Sequence, residues 1–146
     1  MAQLTSDAHF LVSMTYASRA NPDVSATDFN AILQQAQKNN TANGITGMLI
    51  FNKSYFLQTI EGPRAQINRL LYSLIADQRH HDLQLIENHE IKHREWAQWS
   101  MNYASPTEDN AAIYLKYSTT TDFNPYLLTA ESAIELMREL SRQKTT

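Results

Sequence analysis

Three polar side chains in this sequence could form a site made of hydrogen bonds: Tyr16, Asn40 and Gln58. A phenol donates and accepts a hydrogen bond, and a side-chain amide does both at separate atoms. None of the three is a conventional nucleophile or metal ligand, so together they would hold and rearrange hydrogen bonds around a polar ring. Gln58 shares a predicted strand face with Phe56 and Ile60. Because a buried amide without partners costs roughly 1–3 kcal/mol, this position predicts a polar ligand or partner in the interior.

Each of these residues also has a simpler structural explanation. Tyr16 closes an apolar run, and a buried tyrosine usually serves packing while its hydroxyl reaches the surface or a backbone carbonyl. Asn40, like Asn43 before Gly44, lies where a turn is expected, and asparagine is a common turn former. The residues alone leave open whether Tyr16, Asn40 and Gln58 meet in one site.

The other candidates for chemistry are weaker. The adjacent His80 and His81 do not predict a metal site, because neighbouring side chains point in different directions on most backbones and no HExxH motif accompanies them. A role at a helix end is the preferred interpretation. Glu61 in a turn and Asp77 near a helix end form no convincing acid/base pair, and 3 glycines are too few for a glycine-rich phosphate loop.

The composition excludes several classes of protein. A chain of 146 residues fits one domain with a substantial core. The net charge is -3 and the basic residues are scattered, so nucleic-acid binding is not expected. The absence of cysteine excludes disulfides, cysteine-based zinc sites and thiol catalysis. Neither a signal peptide nor an apolar run of ~18 residues is visible, so we expect a cytoplasmic location without membrane association.

Hydrophobic periodicity and turn signals predict alternating strands and helices. Ser25 resembles a helix start, and Pro63 suits the first turn of a second helix. The predicted elements are a strand from His9 to Tyr16, a helix from Ser25 to about Asn39, strands over 45–51 and 55–60 joined as a hairpin, a helix after Pro63 with Ile67, Leu70, Leu71, Leu74 and Ile75 on one face, and strands over 83–91 and 96–103.

This order, β-α-β-β-α-β with one additional strand, predicts an α+β protein with a ferredoxin-like fold and both helices on one face of the sheet. A short helix from Thr107 to Lys116 and a final amphipathic helix, with Thr129 as its expected N-cap, follow the sheet. We therefore expect an N-terminal extension over 1–8, one domain over 9–104 and a helical appendage over 105–146.

Five segments together carry a family resemblance: MTYAS around Tyr16, KNNTANGITGMLIF with Asn40, YFLQTIEG with Gln58, DQRHH over 77–81 and WSM over 99–101. Jointly they resemble the BLUF family, the blue-light sensor module that binds FAD. Beyond this region, LKYS over 115–118, a linker and a last helix are similar to short, stand-alone BLUF proteins of the cyanobacterial PixD type. Such proteins lack an attached enzymatic domain and act through partner proteins.

The resemblance implies where FAD would bind. The isoalloxazine ring would lie between the two helices, with Tyr16 and Gln58 beside its N5 atom and C4 carbonyl and Asn40 on its pyrimidine side. The remaining implied contacts are Ile32 and Leu74 on either side of the ring, and Lys38, Asn39, Asp77, Arg79 and His80 around its polar edge or the ribityl-phosphate chain.

The resemblance also implies a mechanism. After blue-light absorption Tyr16 would donate an electron and a proton, and their return would leave the Gln58 amide rotated, tautomerised or both. The altered hydrogen bond at the C4 carbonyl would produce a small red shift, without a covalent bond. Trp99 and Met101, which share a strand face, would exchange near Gln58 and relay the change to the C-terminal helices. The implied protein is a non-enzymatic, homo-oligomeric photoreceptor that binds a downstream protein in a light-dependent way.

Two other classes remain open from the residues alone. The first is a small enzyme on a ferredoxin-like fold, such as an acylphosphatase, which would need an anion-binding basic loop that the sequence does not display. The second is a light-insensitive interaction module in which Tyr16, Asn40 and Gln58 form an internal polar network. Purification distinguishes these classes, because a flavin photoreceptor is yellow and its spectrum shifts reversibly under blue light.

Overall fold

A computed structural model of the protein describes residues 10–144. The predicted N-terminal extension over 1–8 and the predicted first strand residue, His9, lie outside the described residues. The elements are β1 Leu11–Ala20, α1 Ala26–Ala42, β2 Thr46–Phe51, β3 Tyr55–Pro63, α2 Arg64–Ala76, β4 His80–Ile91, β5 Trp99–Tyr103, α3 Glu108–Tyr117, a short 3-10 helix Pro125–Leu127, and α4 Ala130–Lys144.

The five strands form one mixed sheet in the order β4-β1-β3-β2-β5. β1 pairs antiparallel with β3 and with β4, β2 pairs antiparallel with β3, and β5 is parallel to β2. The first four strands and the two helices between them make the split β-α-β arrangement, and β5 is the additional edge strand. The predicted ferredoxin-like α+β fold is confirmed.

Several element boundaries differ from the sequence prediction. β1 continues four residues beyond Tyr16 to Ala20, because strand pairing with β3 and β4 persists on both sides. β5 begins at Trp99 rather than Trp96, since the preceding residues form a connection outside the ladder. Ile75 was predicted on the buried stripe of α2 but is 62% exposed, because the sheet lies against the Ile67 side of that helix.

Serine or threonine side chains cap the N-termini of three of the helices. Ser25 Oγ accepts a hydrogen bond from the Asp28 backbone nitrogen at 3.1 Å, which satisfies one of the free donors of the first turn of α1. Thr107 caps α3 through the Asn110 nitrogen at 3.2 Å, and Thr129 Oγ1 accepts from the Ser132 nitrogen at 3.1 Å before α4. Pro63 lies immediately before α2 and makes no side-chain cap bond.

Both faces of the sheet are covered by hydrophobic clusters. On one face, inward residues of β1 and β3 pack with Leu33 of α1 and Ile67 of α2. On the other face, alternate residues of β2 and β3 pack against the C-terminal helices; this C-terminal cluster consists of Met48, Ile50, Leu57, Ala104, Tyr114, Phe123, Ala133, Leu136, Met137 and Leu140. The helices after residue 105 therefore share a core with the sheet, and their treatment as a separate appendage stays a prediction.

Candidate functional site

Tyr16 and Gln58 lie next to each other on the face of the sheet that carries α1 and α2. Tyr16 pairs directly with Gln58 across β1 and β3, Gln58 pairs with Leu49 of β2, and Leu49 pairs with Met101 of β5. Because directly paired residues point to the same face, these four side chains form one row across the sheet. The row brings together residues that are far apart in sequence.

Two hydrogen bonds fix the Gln58 side chain. Its Nε2 donates to the Tyr16 hydroxyl at 2.5 Å, and its Oε1 accepts from Trp99 Nε1 at 2.9 Å. The indole nitrogen can only donate, so it selects the amide orientation in which the oxygen faces Trp99. The amide nitrogen must then face Tyr16. The side chains thus form a directed chain from Trp99 through Gln58 to Tyr16.

This hydrogen-bonded chain is shielded from solvent. Tyr16 is 3% exposed, Gln58 4% and Trp99 3%. Burial raises the pKa of Tyr16 well above its ordinary value; the hydrogen bond from Gln58 opposes this shift in part, and the Asp77 charge adds to it. The Tyr16 phenol therefore keeps its proton throughout the neutral pH range.

A cavity of about 80 Å³ opens above this row, between the two helices. Leu49, Phe56 and Trp99 join Tyr16 and Gln58 at its floor. Its walls come from four residues of α1 and two of α2: Ile32, Leu33, Ala36, Asn40, Leu70 and Leu74. The cavity therefore combines apolar walls with a hydrogen-bonding floor and one buried wall amide, Asn40.

Charged and polar side chains from the segment after α2 complete the lining. Arg79 Nη2 donates to Asp77 Oδ2 at 2.6 Å and Arg79 Nε donates to Oδ1 at 2.8 Å, and these bonds hold the pKa of Asp77 below its ordinary value. His80 Nε2 donates to the Leu74 carbonyl at 2.5 Å, and His80 Nδ1 shares a hydrogen bond of 2.8 Å with Ser18 Oγ. His80 thereby ties the end of α2 to β1.

The cavity brings together most of the residues that the sequence analysis singled out. Trp99 points inward and contacts Gln58, whereas Met101 is partly buried against the same hydrophobic cluster without lining the cavity. Lys38 and Asn39 are exposed on α1 and lie outside the lining. The predicted residues in the lining are Tyr16, Ile32, Asn40, Gln58, Leu74, Asp77, Arg79, His80 and Trp99. Their roles toward a cofactor stay predictions.

Five lining residues were not singled out as site residues: Leu33, Ala36, Leu49, Phe56 and Leu70. The signal was present in the hydrophobic periodicity. Leu33 and Ala36 recur with Phe29 and Ile32 at helical spacing and form one apolar stripe of α1, and Phe56 shares a strand face with Gln58 on β3. Periodicity assigns such residues to a buried face, but it does not distinguish a core contact from a cavity wall.

The chemistry of the lining fits a flavin. Apolar side chains from two facing helices suit the faces of a flat ring, and the amides of Asn40 and Gln58 offer both donors and acceptors to a pyrimidine edge. The Arg79 guanidinium provides a cation of the kind that binds phosphate. The cavity is smaller than the ~300–1,000 Å³ common for ligand sites.

Comparison with known proteins agrees with this geometry. The sequence model of the family described as sensors of blue-light using FAD matches residues 11–102. The beta subunit of photoactivated adenylate cyclase from Euglena longa is 32% identical over 105 residues, which are 71% of this chain and 12% of that protein. This chain thus spans only a small part of that relative.

Two solved structures extend the similarity to the fold. The photo-activated state of BlsA superposes with a TM-score of 0.77 at 30% identity and covers 89% of this chain and 94% of that chain. The dark state of the BLUF protein BlrB superposes with a TM-score of 0.65 at 33% identity, over 75% of this chain and 82% of that chain. The chain belongs to the BLUF family, the sensors of blue light that use FAD.

Proposed function

We propose that this chain is a blue-light photoreceptor in which the bonds from Trp99 through Gln58 to Tyr16 store light absorption as a new hydrogen-bonding pattern. The observation that carries the proposal is the Gln58 amide. It lies between a phenol and a donor-only indole at the floor of the cavity. An amide between two such partners has one favoured orientation, and any other arrangement of its hydrogens changes both bonds.

FAD, when bound, absorbs blue light and in its excited state accepts an electron. Tyr16 is placed to supply that electron together with its proton, because burial keeps the phenol neutral. Gln58 Nε2 donates to the Tyr16 oxygen and cannot itself accept a proton, so the phenol proton would leave toward the cavity, for uptake by FAD together with the electron. Both the electron and the proton return to Tyr16, so the residues end in their original redox state.

The return of the electron and proton to Tyr16 need not restore the original orientation or tautomer of the Gln58 amide. In a rotated amide the oxygen faces Tyr16 and accepts from its hydroxyl, while the nitrogen faces Trp99 Nε1 and two donors meet. In a tautomerised amide the protonated oxygen would likewise cease to be a good acceptor. In either case the 2.9 Å bond from Trp99 is weakened, so Trp99 senses the state of the site.

The signal is proposed to pass to a separate partner protein. The buried polar groups at the cavity floor are a phenol and an amide rather than a nucleophile paired with a base. This arrangement favours a sensor over an enzyme for the described part of the chain.

Homo-oligomer formation, a light-dependent partner and a cytoplasmic location stay predictions. No helix among residues 10–144 is long and apolar enough to cross a membrane.

Spectroscopy of the purified protein tests the proposal. We expect protein prepared in darkness to carry FAD and to show a small, reversible red shift under blue light. Gln58→Leu keeps the size and burial of the side chain but removes both hydrogen bonds, so it should retain FAD and lose the shift. Gln37→Leu, an exposed change on α1, is the matched control and should behave as wild type. Protein that cannot be loaded with FAD, or a Gln58→Leu variant with the full shift, would refute the proposal.

A further inference from the structure

The buried carboxylate of Glu61 holds the connection that leads into β5. Glu61 Oε1 and Oε2 accept from the Glu95 backbone nitrogen at 3.1 and 3.0 Å, and Oε1 also accepts from the Trp96 backbone nitrogen at 2.9 Å. A carboxylate that accepts several backbone N–H bonds inside a protein is a strong anchor. The connection at Glu95 and Trp96 is therefore fixed to β3 at a point three residues beyond Gln58.

Further bonds attach the same connection to the sheet. Arg94 Nη1 donates to the Glu61 carbonyl at 3.1 Å and to Thr46 Oγ1 at 2.9 Å. At the other end, the Gly47 backbone nitrogen donates to the Gln98 carbonyl at 3.1 Å, directly before Trp99. The four residues from Glu95 to Gln98 are thus held at both ends. So short a segment has little freedom to absorb a displacement of Trp99.

The Glu95 side chain links this connection to the C-terminal helix α4. Arg138 of α4 donates two hydrogen bonds to the Glu95 carboxylate, from Nε to Oε2 at 2.5 Å and from Nη2 to Oε1 at 3.0 Å. Trp96 adds a partly buried indole that packs against the C-terminal cluster. Residues 95–99 consequently contact Gln58 at one end and α4 at the other.

We propose that Glu61 is a positioning residue for the light-sensing site and that the Glu95–Arg138 pair passes a displacement of Trp99 to α4. The inference rests on the proposed function, in which a changed Gln58 amide weakens the Trp99 bond. Because Glu61 fixes the backbone at Glu95 and Trp96, a shift of Trp99 turns the short connection about that point, and the Glu95 carboxylate changes its position relative to Arg138. α4 thereby has different contacts in the two states, which any ligand- or light-driven switch requires.

Hydrogen exchange of the FAD-loaded full chain, in darkness and under blue light, tests the route. In wild type we expect illumination to change amide exchange in α4. Glu95→Ala removes the acceptor, and Arg138→Met removes the guanidinium but keeps the aliphatic stem. Both side chains are substantially exposed, so both variants should fold. They should keep the flavin red shift and lose the light-induced change in α4.

Lys116→Met is the matched control. Lys116 Nζ of α3 pairs with Glu139 of α4 at 3.0 Å, so this change removes an ion pair from α4 without touching the connection. It should retain the light-induced exchange change. Glu61→Gln gives a second readout, by NMR. It should change the chemical shift of the Trp99 indole N–H in the dark protein.

The outcomes separate the two proposals. A wild-type protein without a flavin red shift would refute the proposed function itself. A normal red shift combined with an unchanged response of α4 in Glu95→Ala and Arg138→Met would refute only this route. A Trp99 indole resonance that is identical in Glu61→Gln and wild type would refute the positioning role of Glu61.

Discussion

Replacing Trp99 with phenylalanine removes the 2.9 Å hydrogen bond from the indole nitrogen to Gln58 Oε1. Phenylalanine keeps an aromatic ring in the buried site but cannot donate, so the amide oxygen is left unpaired inside the protein. An unpaired buried acceptor costs ~1–3 kcal/mol. The same bond sets the preference for one amide orientation, and ~1–3 kcal/mol corresponds to a preference of ~5–150-fold.

We therefore expect two results from Trp99→Phe. Denaturant unfolding should show a loss of at least ~1 kcal/mol in the free energy of unfolding. In the dark, the protein should populate both amide orientations, so the dark spectrum should be an average of the two flavin spectra. The light-induced red shift should then fall to about half of its wild-type amplitude or less. Absorption spectra before and after blue light measure this amplitude.

Trp96→Phe is the matched control, because it makes the same chemical change on the opposite face of the sheet, next to the C-terminal cluster. It should keep the full red shift. If Trp99→Phe also keeps the wild-type dark spectrum and the full amplitude, the indole does not orient the amide. The orientation of the Gln58 amide would then be set by groups other than the indole, and Trp99 would not sense the state of the site.

Three further predictions follow from single contacts. Tyr16→Phe removes the electron and proton donor, so it should lengthen flavin fluorescence and bring the yield of the red-shifted state close to zero; a wild-type yield would assign the donor to another residue. Gly47→Ala places a methyl group 2.0 Å from the Thr59 carbonyl oxygen at a φ of +145, so the unfolding free energy should fall by at least ~2 kcal/mol, and wild-type stability would contradict this packing. The hydrogen bonds from Arg138 lower the pKa of Glu95, so their contribution to stability is complete above the ordinary carboxyl value of 4.5 and disappears as pH falls through the lowered value. Glu95→Gln should therefore reduce the loss of stability in acid, measured by urea unfolding against pH, and an unchanged pH profile would refute the assignment.

Local patterns were sufficient to predict the fold and the faces on which several site residues lie. The alternation in β3 placed Gln58 on one strand face with Phe56 and Ile60, and the spacing in α1 identified the apolar stripe that contains Ile32. These features depend on residues close in sequence. The prediction that Tyr16 and Gln58 meet came from the family resemblance, because their pairing depends on a register between strands more than forty residues apart.

Contacts between distant segments account for what the sequence analysis missed. Glu61 is predicted as a turn residue, but its carboxylate accepts from two backbone nitrogens 34 and 35 residues away and from the Thr46 hydroxyl, and no local motif reveals these partners. The inward orientation of Trp99 depends on the parallel pairing of β5 with β2. Ile75 fits the apolar spacing of α2, but the exposure of that position is decided by how the helix lies on the sheet.

The central claim is that light changes the hydrogen bonds of the Gln58 side chain. Light-minus-dark infrared difference spectra of FAD-loaded protein, prepared with unlabelled and with side-chain ¹⁵N-labelled glutamine, test it most directly. We expect side-chain amide bands that appear on illumination, move with the label and vanish in Gln58→Leu. A red-shifted flavin spectrum without any label-sensitive amide band, or the same bands in Gln58→Leu, would contradict the account.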